Sequence, residues 1–232
     1  MPRILRIINR FNLGGPTHNA AYLTKHLSGD YETLLVGGQW DESEEGSKHI
    51  LDAIGVEPLI LPEMRRDIAP WRDRTAYRRV KQLIKDFKPD IVHTHAAKAG
   101  AVGRMAASEM GVKVIVHTFH GHVFHSYFGQ LRTTMYKNIE RFLARRSTRI
   151  VAISERQRAE LVDEHRICAN NKVSVIPLGF DLSKFQQDLE AKRKLFRRVY
   201  GVADDEIAVG IVGRLVPVKN HDLFLQSMKH LS

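Results

Sequence analysis

The sequence predicts an α/β fold, a doubly wound, Rossmann-like parallel sheet, and three observations carry that prediction. Short, mostly β-branched runs recur along the whole chain. Stretches with helical periodicity separate them. Several of the runs are apolar at successive positions rather than alternately, as expected of parallel strands covered on both faces. Strands and helices alternating in this way specify helices layered on a parallel sheet.

The elements follow in order. Met1-Pro-Arg-Ile-Leu-Arg-Ile-Ile8 interleaves arginine with apolar residues and has no small-residue cleavage site, so it reads as a first strand, Ile4–Ile8, rather than a signal peptide. Asn12-Leu-Gly-Gly-Pro-Thr-His18 follows it and opens the first helix, where Pro16 suits an initial position that needs no N–H. Thr33–Val36 and Leu59–Leu61 are the next strands. Tyr77, Val80, Leu83, Ile84 and Phe87 fall on one helical stripe, and Lys88-Pro89-Asp90 ends that helix before the strand Ile91–His95. Val114–Thr118 is the next strand. Leu131, Met135, Ile139, Phe142 and Leu143 then share a stripe expected to pack into the core, with a basic face opposite. Ile150–Ile153 leads into Ser154 and Gln157, which fit a capping box for a helix reaching about His165. Val173–Ile176 is the last strand of this unit.

Pro177-Leu-Gly-Phe-Asp181 breaks regular structure. The boundary is set near Leu182, giving a first domain of residues 1–182 and the start of a second, incomplete Rossmann-like domain at 183–232. There a basic helix, Asp188–Tyr200, leads to an expected strand at Ile207–Val212, a glycine turn at Gly213 and a helix from Asp222 to Leu231.

Bulk properties narrow the class. The chain has 232 residues, 43% of them apolar, which suits a buried core rather than disorder. Its longest apolar runs are of strand length, against the roughly 20 residues of a membrane span. The single cysteine, Cys168, excludes an internal disulfide and fits a reducing cytoplasm. The net charge of +10 calls for an anionic partner or serves solubility alone. Its clusters, Arg72–Lys81, Arg141–Arg149 and Lys192–Arg198, read first as solvated helix faces. Nucleic acid is not expected, because no helix-turn-helix, zinc spacing or RNP-like aromatic strand accompanies the charge.

Chemistry is expected at the strand ends. Ligands of such sheets bind at the carboxyl ends of the strands, and Gly14-Gly15 lets backbone N–H groups approach a phosphate there. His93 and His95 alternate with Val92 and Thr94, so both project to one face. His117, His120, His122 and His125 run off the next strand into a loop. No HExxH or cysteine pair accompanies them, so polar or proton-handling roles are expected ahead of a metal site. Arg214 and Lys219, five residues apart after Gly213, suit phosphate oxygens. The basic face of residues 123–149, with Phe124, Tyr127 and Phe128 beside it, offers peripheral contact with an anionic membrane as the alternative to a core-packed helix.

Six segments stand in one order: Asn12–His18, Pro89-Asp-Ile-Val-His-Thr-His95, Thr118-Phe-His-Gly-His122, Ile150-Val-Ala-Ile-Ser154, Val175-Ile-Pro-Leu-Gly179 and Gly213-Arg-Leu-Val-Pro-Val-Lys219. Together they resemble family 4 glycosyltransferases, which have the two-domain GT-B fold. The resemblance implies transfer of a sugar, with retention, from a nucleotide-diphosphate-sugar donor to a glycan or lipid-linked acceptor of the cell envelope, with no metal or other cofactor. A cytoplasmic location is read from the single cysteine, with a peripheral position at the inner face of the membrane as the alternative that the basic face offers. By motif position, His120 matches the active-site histidine, and Gly14 and Gly15 approach the donor phosphates. Arg214 and Lys219 offset charge on the diphosphate leaving group. His18, His95, His122 and His125 fall to the acceptor side. The family's donor-holding glutamates lie beyond the position matching Ser232. Residues Asp188–Ser232 are therefore expected to be loosely held or to cover a sheet edge, and catalysis by these residues alone is not expected. The competing readings are a GT-B sugar-nucleotide epimerase and a non-catalytic acceptor-binding half that needs a partner donor domain.

Overall fold

The structure is a computed structural model that describes residues 1–40, 46–65, 67–121, 129–213 and 215–230. The chain forms two compact units, Met1–Phe180 and Asp181–Ser232.

The first unit is built on β1 (Arg3–Arg10), β2 (Glu32–Gly38), β3 (Leu59–Ile60), β4 (Ile91–His95), β5 (Val114–Thr118), β6 (Arg149–Ala152) and β7 (Val173–Val175). They form one sheet of order β3-β2-β1-β4-β5-β6-β7, and every pairing is parallel. Its helices are α1 (Gly15–His26), α2 (Lys48–Ile54), α3 (Pro70–Phe87), α4 (Ala97–Glu109), α5 (Gln130–Arg146) and α6 (Glu155–Ala159), the last continuing as a π-helical turn over Glu160–Glu164.

Strand alternation sorts the core into two layers. Ile8 and Leu35 face α1 and α2 through Ala20, Ala21, Ile50 and Leu51. Leu5, Ile7, Val92 and Ile115 point the other way, onto Val80 and Ile84 of α3 and Ala106 and Ala107 of α4. Ile150 and Ala152 pack with Ala144 of α5 and Leu161. The chain winds one way from β1 and the other way from β4, so the topological switch point lies between these neighbouring strands.

Small residues let α4 lie close on the sheet. A Cβ on Gly100 would stand 2.5 Å from the His117 ring, and one on Gly103 would stand 2.5 Å from Thr94. Arg104 of α4 is fully buried; it donates to the Gly100 carbonyl at 2.9 Å and pairs with Glu140 of α5 at 2.7 Å. The expected helix ends are present. Lys88 caps α3 in the left-handed region, and the Ser154 hydroxyl accepts from the Gln157 N–H at 3.1 Å.

Two expectations are overturned. The stripe on α5 reaches the core only at its end: Leu143 is buried, whereas Leu131 is 86% exposed, Met135 50% and Ile139 41%. The buried side of the helix instead carries Glu140, Leu143 and Ala144, because Glu140 finds Arg104 there. In the second unit, the described residues form α7 (Ser183–Gln186), α8 (Leu189–Tyr200), a 3₁₀ turn (Pro217–Lys219) and α9 (His221–Met228), but no strand. Ile207–Val212 forms no strand and is exposed. An apolar run becomes a strand only when its N–H and C=O groups find a ladder, and here none pairs with it.

Candidate functional site

Parallel pairing brings all strand carboxyl ends to one edge, and three loops meet there beside the switch point. The first follows β1. Gly14 precedes α1 in an extended conformation, and Pro16 lies in the first turn. Thr17 Oγ1 donates to the Asn12 carbonyl at 2.7 Å, tying the loop to the helix. His18 Nδ1 donates to the Gly14 carbonyl at 3.1 Å, which turns its ring back onto this loop, 6.3 Å from the ring of Phe180. The N-terminus of α1 therefore lies at this edge, a place that favours a phosphate.

The second loop follows β4. His93 and His95 project to one face, with ring centres 4.3 Å apart. Ala96, directly after His95, has φ 66° and ψ 161°, a conformation that costs a residue with a side chain about 1–3 kcal/mol. Such a cost at the end of β4 is borne where it aims His95.

The third loop follows β5. His120 lies just past the strand, and its Nε2 meets His95 Nδ1 at 2.9 Å. The two rings stack at 5.2 Å. His93 Nε2 meets Thr118 Oγ1 at 2.8 Å. Gly121, with φ 139°, follows in a region that favours glycine. Burial pushes the His120 pKa down to about 4. His93 and His95 are held well below the usual imidazole range, first by burial and then by neighbouring positive charge. The cluster is neutral near pH 7, and a neutral imidazole both donates and accepts.

Beneath the imidazoles lies Arg6, which the sequence reading did not select. It pairs in register with His93 and is 1% exposed. Its Nε and Nη1 have no hydrogen-bond partner among the described residues, and burial lowers its pKa to about 10. A charged residue at the centre of a covered strand was the available signal.

The remaining expected residues separate. His117 points to the opposite face, where Nδ1 meets Thr94 Oγ1 at 2.8 Å and the ring packs edge-on against Phe119. Lys219, in the second unit, is exposed, and its stem lies over Gly213. Arg214, His122 and His125 lie outside the described residues. No group of three or more His, Cys, Asp or Glu side chains among the described residues is placed to hold a metal ion.

Comparison with known proteins agrees with this fold. The family model described as Glycosyltransferase Family 4 matches residues 13–184. The UDP-Gal:alpha-D-GlcNAc-diphosphoundecaprenol alpha-1,3-galactosyltransferase of Escherichia coli is 34% identical over 176 residues, covering 76% of this chain and 45% of that protein. The capsular polysaccharide biosynthesis glycosyltransferase CapM of Staphylococcus aureus is 29% identical, over 72% of this chain and 43% of its own. The chain thus spans less than half the length of these relatives. Among solved structures, Anabaena Alr3699/HepE in complex with UDP and glucose superposes with a TM-score of 0.73 at 16% identity, over 100% of this chain and 59% of that one.

Proposed function

The chain belongs to glycosyltransferase family 4, and on that premise we propose that it works in the transfer of a sugar from a nucleotide-sugar donor to a lipid-linked or polysaccharide acceptor. The observation that carries this reading is the His95–His120 pair, held beside the Gly14-Gly15 loop at the switch point. Diphosphate suits the helix N-terminus, and a sugar hydroxyl suits a neutral imidazole. With its pKa near 4, His120 acts at neutral pH by hydrogen bonding rather than by carrying a proton, since a proton carrier works best near its own pKa. The proposed roles are His120 on the donor sugar and Gly14 and Gly15 on the phosphates. Arg214 and Lys219 stabilise the departing diphosphate, and His18, His95, His122 and His125 stand on the acceptor side. Retention at the anomeric carbon, independence of a metal or other cofactor, and peripheral work at the cytoplasmic membrane face belong to the same proposal.

Two relatives support the acceptor class through the activities they are named for, on a diphosphoundecaprenol-linked sugar in one and in capsular polysaccharide biosynthesis in the other. The test is transfer of labelled sugar from a panel of nucleotide sugars to a polyprenyl-diphosphate-linked saccharide, with chelator present and the product's anomeric configuration read by NMR. His120→Ala is expected to lower transfer by about 10²-fold or more. Transfer indifferent to that change would refute the assigned role. Turnover of the donor without any acceptor would favour the epimerase reading. Co-purification with a second protein, and no nucleotide binding by this chain alone, would make it the acceptor-binding half of a two-chain enzyme.

A further inference from the structure

The contact between His95 and His120 fixes more than the distance between two rings. Two neutral imidazoles share a hydrogen bond only if one of the facing nitrogens carries a proton and the other is bare. Either His95 Nδ1 donates to His120 Nε2, or the reverse. The choice propagates, because each neutral ring holds a single N–H. In the first case His120 carries its proton on Nδ1 and His95 Nε2 is bare. In the second, His120 Nδ1 is bare and the N–H of His95 lies on Nε2. These two outer nitrogens, His95 Nε2 and His120 Nδ1, are buried and have no partner among the described residues. The field around His95 therefore decides between the two states.

Arg6 supplies that field. In the sheet, β4 lies between β1 and β5. His95 turns Nδ1 towards His120, just past the end of β5. The two nitrogens of an imidazole point to nearly opposite sides, so Nε2 turns back towards β1. Arg6 stands there on the same face, in register with His93 and diagonal to His95, while the residue paired with His95 is the apolar Ile8. After burial, the groups that depress His95 are His93, Arg6, His120 and His117. Arg6 alone among them is charged near pH 7, since its own pKa stays at about 10. A lone pair on His95 Nε2 faces this guanidinium favourably. An N–H there would set donor against donor, because Arg6 Nε and Nη1 have no partner among the described residues either. Free imidazole favours its proton on Nε2, so the opposite state has to be imposed. We propose that Arg6 is a positioning residue that keeps the proton of His95 on Nδ1, so that His95 donates to His120 Nε2 and His120 presents an N–H, at Nδ1, to an oxygen of the nucleotide sugar. The proposal rests on the reading of His120 as the group on the donor sugar.

Nitrogen NMR of the full chain carrying isotope-labelled histidine tests the relay without any substrate, because the protonated and bare nitrogens of a neutral ring resonate far apart. Spectra of His95→Gln and His120→Gln assign the two rings. Near pH 7.5 both rings are expected to carry the proton on Nδ1. Arg6→Met should shift both towards the Nε2–H form, and Arg6→Lys, which keeps the charge, should retain Nδ1–H. Transfer from the nucleotide-sugar panel given above should fall about tenfold in Arg6→Met, the scale of one hydrogen bond, and recover in Arg6→Lys. A merely structural role for Arg6 would lower the urea midpoint without moving the tautomers. A proton on His120 Nε2 in the unsubstituted chain overturns the proposal, and so do tautomers unchanged by Arg6→Met. Transfer that falls with His120→Ala but not with Arg6→Met removes the relay and leaves the donor-sugar reading standing. Nδ1 protons on both rings, with transfer indifferent to both variants, remove the contact with the donor sugar and leave the relay as a property of the fold.

Discussion

Acidification should unfold the first unit at a pH where its carboxylates are still ionised. His120 titrates near 4 when folded, against about 6.5 for an unperturbed imidazole. The difference corresponds to about 3 kcal/mol. The folded value is the lower one, so the unfolded chain takes up a proton first as pH falls. The stability is therefore fully present above about pH 6.5 and is lost on the way down towards 4. His93, His95 and His117 are depressed in the same direction, burial being the largest cause for each. Each contributes a slope approaching about 1.4 kcal/mol per pH unit once below the unfolded value. Together they exhaust a typical domain stability of about 5–15 kcal/mol within roughly one to three pH units. Urea denaturation followed by circular dichroism at pH 7.5, 6.5 and 5.5 measures this. The unfolding free energy should drop steeply between the last two, and His120→Gln should remove roughly one imidazole's share of that slope. A free energy unchanged from pH 7.5 to 5.5, or imidazole NMR signals titrating near 6.5, would refute the burial argument.

Four further outcomes follow from packing and charge. Gly100→Ala places a methyl group 2.5 Å from a His117 ring already fixed by Thr94, so a loss of about 1–3 kcal/mol is expected in urea melts. Glu140→Leu leaves Arg104 buried without its carboxylate and should cost about 3–5 kcal/mol, whereas Arg104→Met/Glu140→Leu should recover most of it. Arg6→Met removes, at similar volume, a buried guanidinium whose Nε and Nη1 have no partner among the described residues; stability should hold or rise and the His93 NMR titration should move upward, whereas a large loss would reveal a partner for Arg6. Ala96→Gly relieves a positive φ and should stabilise the fold by up to about 1 kcal/mol, read by the same melts.

What was legible in the sequence follows from which signals are local. The runs Ile91–His95 and Val114–Thr118 coincide with β4 and β5, because β-branched runs between turn residues depend on little else. The Lys88 stop and the Ser154 cap are equally local. Residues two apart on a strand share a face, so His93 and His95 were readable as a pair. That His120 completes them depends on the β4–β5 register, which pairs His95 with Thr118. Arg6 depends in the same way on the β1–β4 register. Periodicity showed that α5 carries an apolar stripe but not on which side the sheet stands. The deciding contact, Arg104 with Glu140, joins residues 36 apart. At Ile207–Val212 the apolar run was real, and the missing quantity was a ladder partner.

The cluster at the switch point is costly by the same rules that make the rest of the sheet stable. A buried guanidinium whose Nε and Nη1 have no partner among the described residues, imidazoles whose protonation burial disfavours, and a side-chain-bearing residue at φ 66° lie within adjoining strands. Apolar residues at these positions would have formed the same sheet, as Leu5, Ile7 and Val92 do one position away on the opposite face. What apolar residues could not supply is a row of neutral hydrogen-bonding rings over a fixed positive charge, at the strand edge from which α1 starts. Neutral rings bind hydroxyl groups without drawing an anion out of place, and the positive charge and the helix N-terminus favour one. That combination suits a sugar joined to a diphosphate better than either alone, and it explains why the destabilising residues gather at the strand ends rather than scatter through the sheet.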